Sequence, residues 1–196
     1  MNLVKPTDPI LSKELTDVNL KDPGFDPKEL KEQMVELMVS KRGLGLSACQ
    51  VGLDYKLFII GESKDSCMMF INPEVISVSE ETVLDIEGCL SYPDMFVKLA
   101  RPASVEAKWY DEELNEQTGS FDGYTARCFL HEFDHLYGVV YKDKVSRLKW
   151  ERAAKKKEKI TKQRAQLMAY LKSTQSKLNQ VVELRGKEKV AEAAEE

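Results

Sequence analysis

The amino-acid sequence predicts a mixed fold of helices and short β-strands, followed by one long charged helix. Residues 124–138 form a helical run that carries the only two histidines of the chain. Several short runs rich in β-branched and aromatic residues are typical of strands. From Arg147 onward the chain is dominated by Lys, Glu, Ala and Gln, with no Gly or Pro until Gly186, which predicts a long helix.

Composition excludes several classes of protein. With 196 residues, of which 42% are hydrophobic, the chain can form one domain with a real core and an appended segment. No apolar run is long enough to span a membrane, and the first residues resemble neither a signal peptide nor a transit peptide. We therefore expect a cytoplasmic protein. Its four cysteines form no CxxC pair, so in a reducing compartment they are free thiols or metal ligands.

The first predicted helix begins at Asp26 and Pro27, because Asp is a good N-cap and Pro suits the first helical position. It is expected to end near Lys41, before Gly43. One side of this helix carries an apolar stripe that predicts core packing, formed by Leu30, Met34, Leu37 and Met38.

A glycine-rich stretch follows at 43–52, where three glycines allow a ligand or another strand to approach the backbone closely. It is not a phosphate-binding loop, because no Lys-Ser/Thr follows it and no strand precedes it. Beyond it, β character is concentrated in four runs, at 55–61, 68–78, 96–99 and 104–110. Residues 111–115 are predicted to form a turn between strands.

His131 and His135 are four residues apart, so on a helix they lie on one face, one turn from each other. Two imidazoles at this spacing can bind one metal ion, and Glu132 between them can act on a water molecule at that metal. Gly123 and Gly138 bracket the helix. The alternative is a buried helix whose histidines pack against backbone carbonyls, but the paired spacing favours a metal site.

A catalytic metal site of this kind usually has three protein ligands, and the chain offers no third histidine. In the zincin proteases the third ligand is often a downstream Glu, for which Glu151 or Glu158 could serve. Cys89 is the other candidate, since a thiolate is a strong ligand, although a free Cys is more often a small buried apolar residue. The spacing by itself does not choose between them.

Three motifs together resemble the signature motifs of the peptide deformylases, in the order and spacing of that family. They are GLGLSACQ at 43–50, EGCLS at 87–91 and HEFDH at 131–135. The likeness extends from about Asp8 to about Leu148. It implies an α+β fold in which antiparallel sheets surround a central helix that carries the HExxH motif. Departures are mild: Ser47 stands where the family often has Ala, and Cys49 where it often has Thr.

The resemblance also implies an activity, a cofactor and partners. Deformylases are metal-dependent hydrolases that remove the formyl group from the N-terminal formyl-methionine of newly synthesised polypeptides. They use one divalent metal ion, usually Fe(II), which zinc, nickel or cobalt can replace. We expect formyl-methionyl nascent peptides as partners, no DNA and no membrane, in the cytoplasm of a bacterium or a phage-infected cell rather than in an organelle. Residues 1–148 would be the catalytic domain and 149–196 a charged helical extension.

Residue roles follow from the motif positions. The resemblance implies the metal ligands Cys89, His131 and His135. It implies that Glu132 takes a proton from water and delivers it to the leaving amine. The side-chain amide of Gln50 and the backbone N–H of Leu90 would donate hydrogen bonds to the developing oxyanion.

Other positions match residues near the site. Glu87 precedes the ligand Cys, and Arg101 with Asp134 would form an ion pair that braces the ligand-bearing helix; the alternative is that Arg101 is a solvated surface charge. Positions around the methionine pocket or the peptide-binding edge are Leu44, Gly45, Gly88, Arg127 and Cys128. The backbones of Gly45 and Gly88 would bind the peptide as an added strand, and core packing is the alternative for the side chains of Leu44 and Cys128.

The extension begins with a basic segment. Residues 149–164 contain eight Lys/Arg and two Glu, a net charge of +6, whereas the whole chain carries −4 and the remainder therefore −10. This asymmetry suggests a polyanionic partner, and because some family members dock on the ribosome through a C-terminal helix, we expect contact with ribosomal RNA near the exit tunnel. The alternatives are a solvated face, or a helix that packs on itself through near-heptad apolar positions, namely Ile160, Leu167, Leu171, Leu178 and Val181.

Two other classes of function remain open from the residues. One is a zincin-type peptidase in which Glu151 or Glu158 is the third ligand. The other is a non-catalytic module with a structural metal, which is disfavoured because structural sites normally have four protein ligands.

Overall fold

The computed structural model describes residues 1–192, and within the last helix it describes the side chains as far as Ser176 and that of Asn179. The chain divides into two compact units, Met1–Trp150 and Glu151–Glu196. Helices and antiparallel sheets are combined in the first unit, so the predicted α+β class is confirmed.

The elements of the described chain, in order, are three α-helices and seven strands, with short 3-10 helices at Pro9–Ser12, Ala48–Val51 and Tyr141–Lys144. The α-helices are α1 (Pro27–Ser40), α2 (Gly123–Leu136) and α3 (Arg147–Glu192). The strands are β1 (Gly45–Ser47), β2 (Leu57–Ile60), β3 (Met68–Val78), β4 (Thr82–Cys89), β5 (Tyr92–Pro102), β6 (Ser104–Tyr110) and β7 (Glu116–Asp122).

Two antiparallel sheets position the site. The larger has the strand order β1-β2-β3-β6-β7, and the smaller is the β4–β5 pair. Within this pair Glu87 lies opposite Val97, and Cys89 lies opposite Tyr92 after a register shift. The strand that ends at Cys89 therefore turns back sharply, so that this cysteine lies at the tip of a hairpin.

Helix α1 has the predicted start and end. The side chain of Asp26 caps it by accepting from the backbone N–H groups of Lys28 and Glu29, and Pro27 is its first residue. The predicted apolar stripe is buried and packs against β1, β2 and β3. Burial of this stripe joins α1 to the strand that carries Gly45.

Helix α2 packs on the larger sheet through an aromatic cluster. Phe129 makes edge-on contacts with Phe58 and Phe70 of the central strands, with ring centroids 5.2 and 5.3 Å apart. It also stacks on Phe121 of β7 at 5.6 Å. Aromatic pairs at these distances stabilise a core beyond the area they bury. The cluster fixes the rotation of α2, so the histidines two and six residues after Phe129 face away from the sheet.

Three strands lie outside the runs that the sequence predicts: the short β1, and the strands β4 and β7. In β4 the side chains from 82 to 86 are exposed, and Leu84 and Ile86 remain 59% and 51% accessible, so no buried alternating pattern marks the strand. The predicted run 96–99 is only the middle of β5. Strand β7 alternates between exposed and half-buried polar residues, which gives a weak periodic signal. All three strands form because a partner strand supplies backbone hydrogen bonds, which depends on distant residues.

The last helix begins as predicted at Arg147. Its first turn belongs to the larger unit, where the Trp150 ring contacts the rings of Tyr92 and Tyr141 edge-on, each at 5.6 Å. Leu167 and Leu171 are more than half exposed, whereas the side chains of Leu178 and Val181 lie outside the described ones. Of the helices in the described chain, none has the length and apolar character required to cross a membrane.

Candidate metal centre

Three side chains converge between the β4–β5 hairpin and α2. A sulfur from Cys89 and one ring nitrogen each from His131 and His135 all lie within 4.8 Å of one another. Cys89 Sγ lies 3.3 Å from His135 Nε2. A thiolate and two imidazoles are a donor set that suits a single transition-metal ion or zinc. The geometry therefore fits one metal ion held by two elements far apart in the sequence.

His131 is oriented by a buried carboxylate. Its Nδ1 atom lies 2.5 Å from Glu87 Oε1, which leaves Nε2 for a metal. Burial alone would lower the pKa of His131, but hydrogen bonds with Cys89 and Glu87 raise it to about 10. Burial alone would raise the pKa of Glu87, but the hydrogen bonds from His131 and Arg101 lower it to about 2. Glu87 is thus an anion at neutral pH.

His135 is completely buried, and its Nδ1 atom is a buried polar atom without a hydrogen-bond partner. Burial, followed by the nearby charge of His131, lowers the pKa of His135 well below its ordinary value. A neutral imidazole is the form that binds metals. His135 is therefore already in the form that a metal requires of this ligand, whereas His131 would give up its Nε2 proton when a metal binds.

Glu132 lies beside this group, on the same turn of α2. Its Oε2 atom accepts a hydrogen bond of 2.7 Å from the hydroxyl of Ser47, and burial raises its pKa. A Cβ atom at position 45 would collide with the Glu132 carboxylate, which explains why Gly45 is a glycine. A buried acid whose pKa is raised is suited to serve as a general acid and base.

Gln50 and Leu90 both lie beside Cys89, the sulfur ligand. The Gln50 amide nitrogen lies 3.4 Å from Cys89 Sγ and donates to Ser91 Oγ at 3.0 Å, while its oxygen accepts from the Ser47 backbone N–H at 2.8 Å. Leu90 directly follows Cys89, and its side chain packs into the α1 cluster. The Leu90 side chain is half-buried there.

Arginines surround the carboxylate that orients His131. Arg101 donates to both oxygens of Glu87, at 2.6 and 3.0 Å, and its Nη1 atom lies 2.5 Å from Asp134 Oδ2. The ion pair between Arg101 and Asp134 is therefore present, and Arg101 is buried rather than solvated. Arg127, which the resemblance placed near the substrate, is also buried and donates to Glu87 and to two strand carbonyls.

Two of the predicted substrate positions line one cavity. Leu44 and Cys128 face a space of about 210 Å³ that also borders Met68, Phe70 and Tyr124. Cys128 lies one helical turn before Glu132 on α2. Gly88 is covered by Phe96, because a Cβ atom there would lie 2.7 Å from Phe96 Cε1.

Some contacts of the site were missed or left open by the sequence. In the described part of the chain, the metal-binding group includes neither Glu151 nor Glu158, and Glu158 pairs with Lys162 at 2.7 Å. Ser47 was treated as a mild departure from the family, yet it contacts Glu132. The sequence does not identify Ser91 or Tyr141 as site residues. Ser91 lies within the EGCLS motif and contacts Gln50. No sequence pattern marks Tyr141, whose ring lies 5.7 Å from that of His131.

A metal-binding group with a buried carboxylic acid at its side is typical of one class of enzyme, the metal-dependent hydrolases. Residues 1–151 match the sequence model of the polypeptide deformylase family. The peptide deformylase of Rhizobium meliloti (strain 1021) is 37% identical over 162 residues, which cover 80% of this chain and 91% of the relative. That of Finegoldia magna is 40% identical over 145 residues, covering 74% and 88%. The chain therefore belongs to the polypeptide deformylase family.

Solved structures agree with this assignment. A peptide deformylase from Synechococcus elongatus, crystallised in complex with actinonin, has a TM-score of 0.73 at 33% identity and covers 81% of this chain and 86% of its own. A peptide deformylase from Legionella pneumophila has a TM-score of 0.74 at 29% identity, covering 84% and 96%. Each of these structures matches more than four fifths of this chain.

Proposed function

We infer that this chain is a hydrolase that removes the N-formyl group from the N-terminus of newly synthesised polypeptides. Its membership of the deformylase family carries this conclusion. The convergence of Cys89, His131 and His135 around one point, with Glu132 beside them, supplies the chemistry that the activity requires.

Each nearby residue has a proposed role in the reaction. When bound, the metal supplies Lewis acidity, which activates water and polarises the formyl carbonyl. Glu132 accepts the proton of the attacking water and passes it to the departing amine, which its raised pKa favours. The Gln50 amide, held at both ends by Ser47 and Ser91, is preorganised to donate to the oxyanion. The Leu90 backbone N–H would be the second donor, and each donor is worth roughly 3 kcal/mol.

We propose Fe(II) as the metal, with zinc, nickel or cobalt as functional substitutes. Support comes from the donor set, since one thiolate and two imidazoles suit all of these ions. Fe(II) itself rests on the family resemblance.

The methionine side chain of the substrate is proposed to enter the cavity lined by Leu44 and Cys128. Strand β1 lies at an edge of the larger sheet, so it can pair with an extended peptide through the backbone of Gly45. A peptide bound in this way would place its N-terminal formyl group beside Glu132, because Gly45 lies against that carboxylate.

An anaerobic assay tests the proposed function. The chain reconstituted with Fe(II) or Ni(II) should release formate from a formyl-Met tripeptide and should leave the acetyl-Met counterpart intact, because the cramped site admits only the smaller acyl group. Mass spectrometry of the products distinguishes deformylation from cleavage of an internal peptide bond, which a peptidase would produce. Absence of formate with either metal would refute the proposal.

For the second unit we propose contact with ribosomal RNA through the basic segment 149–164, in the cytoplasm of a bacterium or a phage-infected cell. The residues 151–164 lie on one continuous helix and are mostly exposed, as electrostatic contact with phosphates requires. Residues 1–148 are proposed as the catalytic part and 149–196 as the extension.

Co-sedimentation with ribosomes over a salt series tests this partner. Because Trp150 packs on Tyr141 and Tyr92, the truncated chain should end at Glu151 rather than at Leu148, so that the aromatic cluster is kept. RNA contact predicts binding that falls steeply with salt and is lost on truncation. Equal sedimentation of both chains would exclude a role for the segment.

A further inference from the structure

We infer that Arg127 is a positioning residue that clamps the hairpin carrying Cys89 to the helix carrying the two histidines, and that through Glu87 it keeps His131 oriented towards the metal. This inference rests on the proposed metal centre. It gives Arg127 a role besides the place near the methionine pocket or the peptide-binding edge that the resemblance implies.

The contacts of Arg127 join three elements. Its side chain leaves α2 one turn before His131, and Nη1 donates to Leu99 O of β5 at 2.9 Å and to Glu87 Oε2 of β4 at 3.2 Å. Its Nη2 atom donates to Val83 O of β4 at 2.6 Å. One guanidinium therefore ties α2 to both strands of the hairpin. The metal centre needs such a tie, since its sulfur and its nitrogens come from opposite sides of this junction.

Glu87 connects Arg127 to the metal ligand His131. Its Oε1 atom contacts His131 Nδ1 and Arg101 Nη2, and its Oε2 atom contacts Arg101 Nε and Arg127 Nη1. A carboxylate has about four acceptor positions, so all of them are occupied. Arg127 adds the fourth contact to those from Arg101 and His131, which further restricts the carboxylate, so the imidazole bonded to it keeps Nε2 directed at the metal.

Arg127 and Arg101 connect different parts of α2 to the hairpin. Arg101 leaves β5 and reaches Leu130 O and Asp134 on α2. Arg127 leaves α2 in the opposite direction and reaches backbone carbonyls of the hairpin. Removal of Arg127 would therefore leave the Asp134 side braced, but would free the strands near Val83 and Leu99. Only a planar group with several fixed donors can make these three contacts, so Lys is not an equivalent replacement.

The test compares metal release from Arg127→Met, Arg127→Lys and the full-length wild type, each loaded with nickel. The matched control is Lys98→Met, which removes an exposed cation from the outer face of β5. Release is followed after adding excess chelator, and the free energy of unfolding of each metal-free protein is measured separately with urea. We expect Arg127→Met to release metal about 10- to 100-fold faster, Arg127→Lys to be intermediate, and Lys98→Met to match the wild type.

A second readout reports the orientation directly. In the zinc-loaded proteins, the Nδ1–H proton of the His131 ring should exchange slowly with solvent in the wild type and faster in Arg127→Met, as followed by NMR. If Arg127→Met does not fold, Arg127→Lys decides the question by the same two measurements. Lower stability, with an unchanged rate of metal release and an unchanged exchange rate of the His131 Nδ1–H proton, would overturn the inference alone. A wild type that holds no metal would overturn the proposed metal centre as well, so the two failures are distinguishable.

Discussion

The hydroxyl of Ser47 donates a 2.7 Å hydrogen bond to the Oε2 atom of Glu132. Ser47 is fully buried, and its backbone N–H in turn holds the oxygen of Gln50 at 2.8 Å. One residue of β1 therefore touches both the proposed proton shuttle and the proposed oxyanion donor. This contact aligns the Glu132 carboxylate before substrate arrives.

Ser47→Ala should lower kcat about fivefold and leave metal content unchanged. The change removes one hydrogen bond, worth about 1 kcal/mol, from a group whose orientation matters in the transition state. Steady-state kinetics on a formyl-Met peptide and elemental analysis make the comparison, with Ser120→Ala on the exposed side of β7 as control. A kcat equal to that of the wild type would show that Ser47 does not align Glu132.

Glu132→Gln should retain the metal and reduce turnover by about 10²- to 10⁴-fold, since the amide keeps the shape of the side chain but cannot shuttle a proton. The control is Glu36→Gln on the exposed side of α1. Substrate binding is measured by calorimetry on the inactive variant and should persist. If the variant instead loses its metal, Glu132 is part of the structure of the centre rather than its base.

Cys89→Ala should bind metal at least about tenfold more weakly. Removal of a metal ligand should weaken metal binding more than removal of a residue that only orients a ligand. Cys89→Asp should keep some metal and lose much of the rate, since a carboxylate is a harder ligand than a thiolate. Competition with a chromogenic chelator gives the affinities. Cys67→Ala, which removes a buried thiol outside the metal-binding group, should bind metal as the wild type does.

A chain that ends at Leu148 should unfold more easily than one that ends at Glu151. The shorter chain loses Trp150, whose ring contacts Tyr92 and Tyr141, and we expect a loss of about 1–3 kcal/mol in the free energy of unfolding. Urea titration of the metal-free proteins measures it. Trp150→Ala in the full chain should show the same loss, and Tyr170→Ala, at a residue 68% exposed on α3, should show almost none. Equal stability of the two truncated chains would mean that the cluster does not support the larger unit.

Local patterns in the sequence were sufficient for the helices. Asp26 and Pro27 mark the start of α1, and the period of its buried residues marks its inner face. The histidine pair placed a metal-binding helix at α2, and uniform charged composition predicted α3. Helices are predictable in this way because their hydrogen bonds and their caps come from residues a few positions apart.

The positions of the strands and of the metal ligands depend on contacts with residues distant in the sequence. Local sequence patterns therefore predict them less well than they predict the helices. Strand β4 has almost no buried side chains before Glu87, and it exists through its pairing with β5. The choice of Cys89 over a downstream Glu came from the family resemblance, since residue spacing did not distinguish them. In the folded chain the hairpin carries Cys89 to within 3.3 Å of His135.

The sequence by itself determined the three helices and, through its motifs, the family and the reaction. Only the tertiary structure decided which groups surround each ligand. It placed the Arg127 side chain on Glu87 and the Ser47 side chain on Glu132. The physical reason is that a buried ion or hydroxyl must find partners wherever the packed elements supply them, and those partners lie 40 and 85 positions away along the chain.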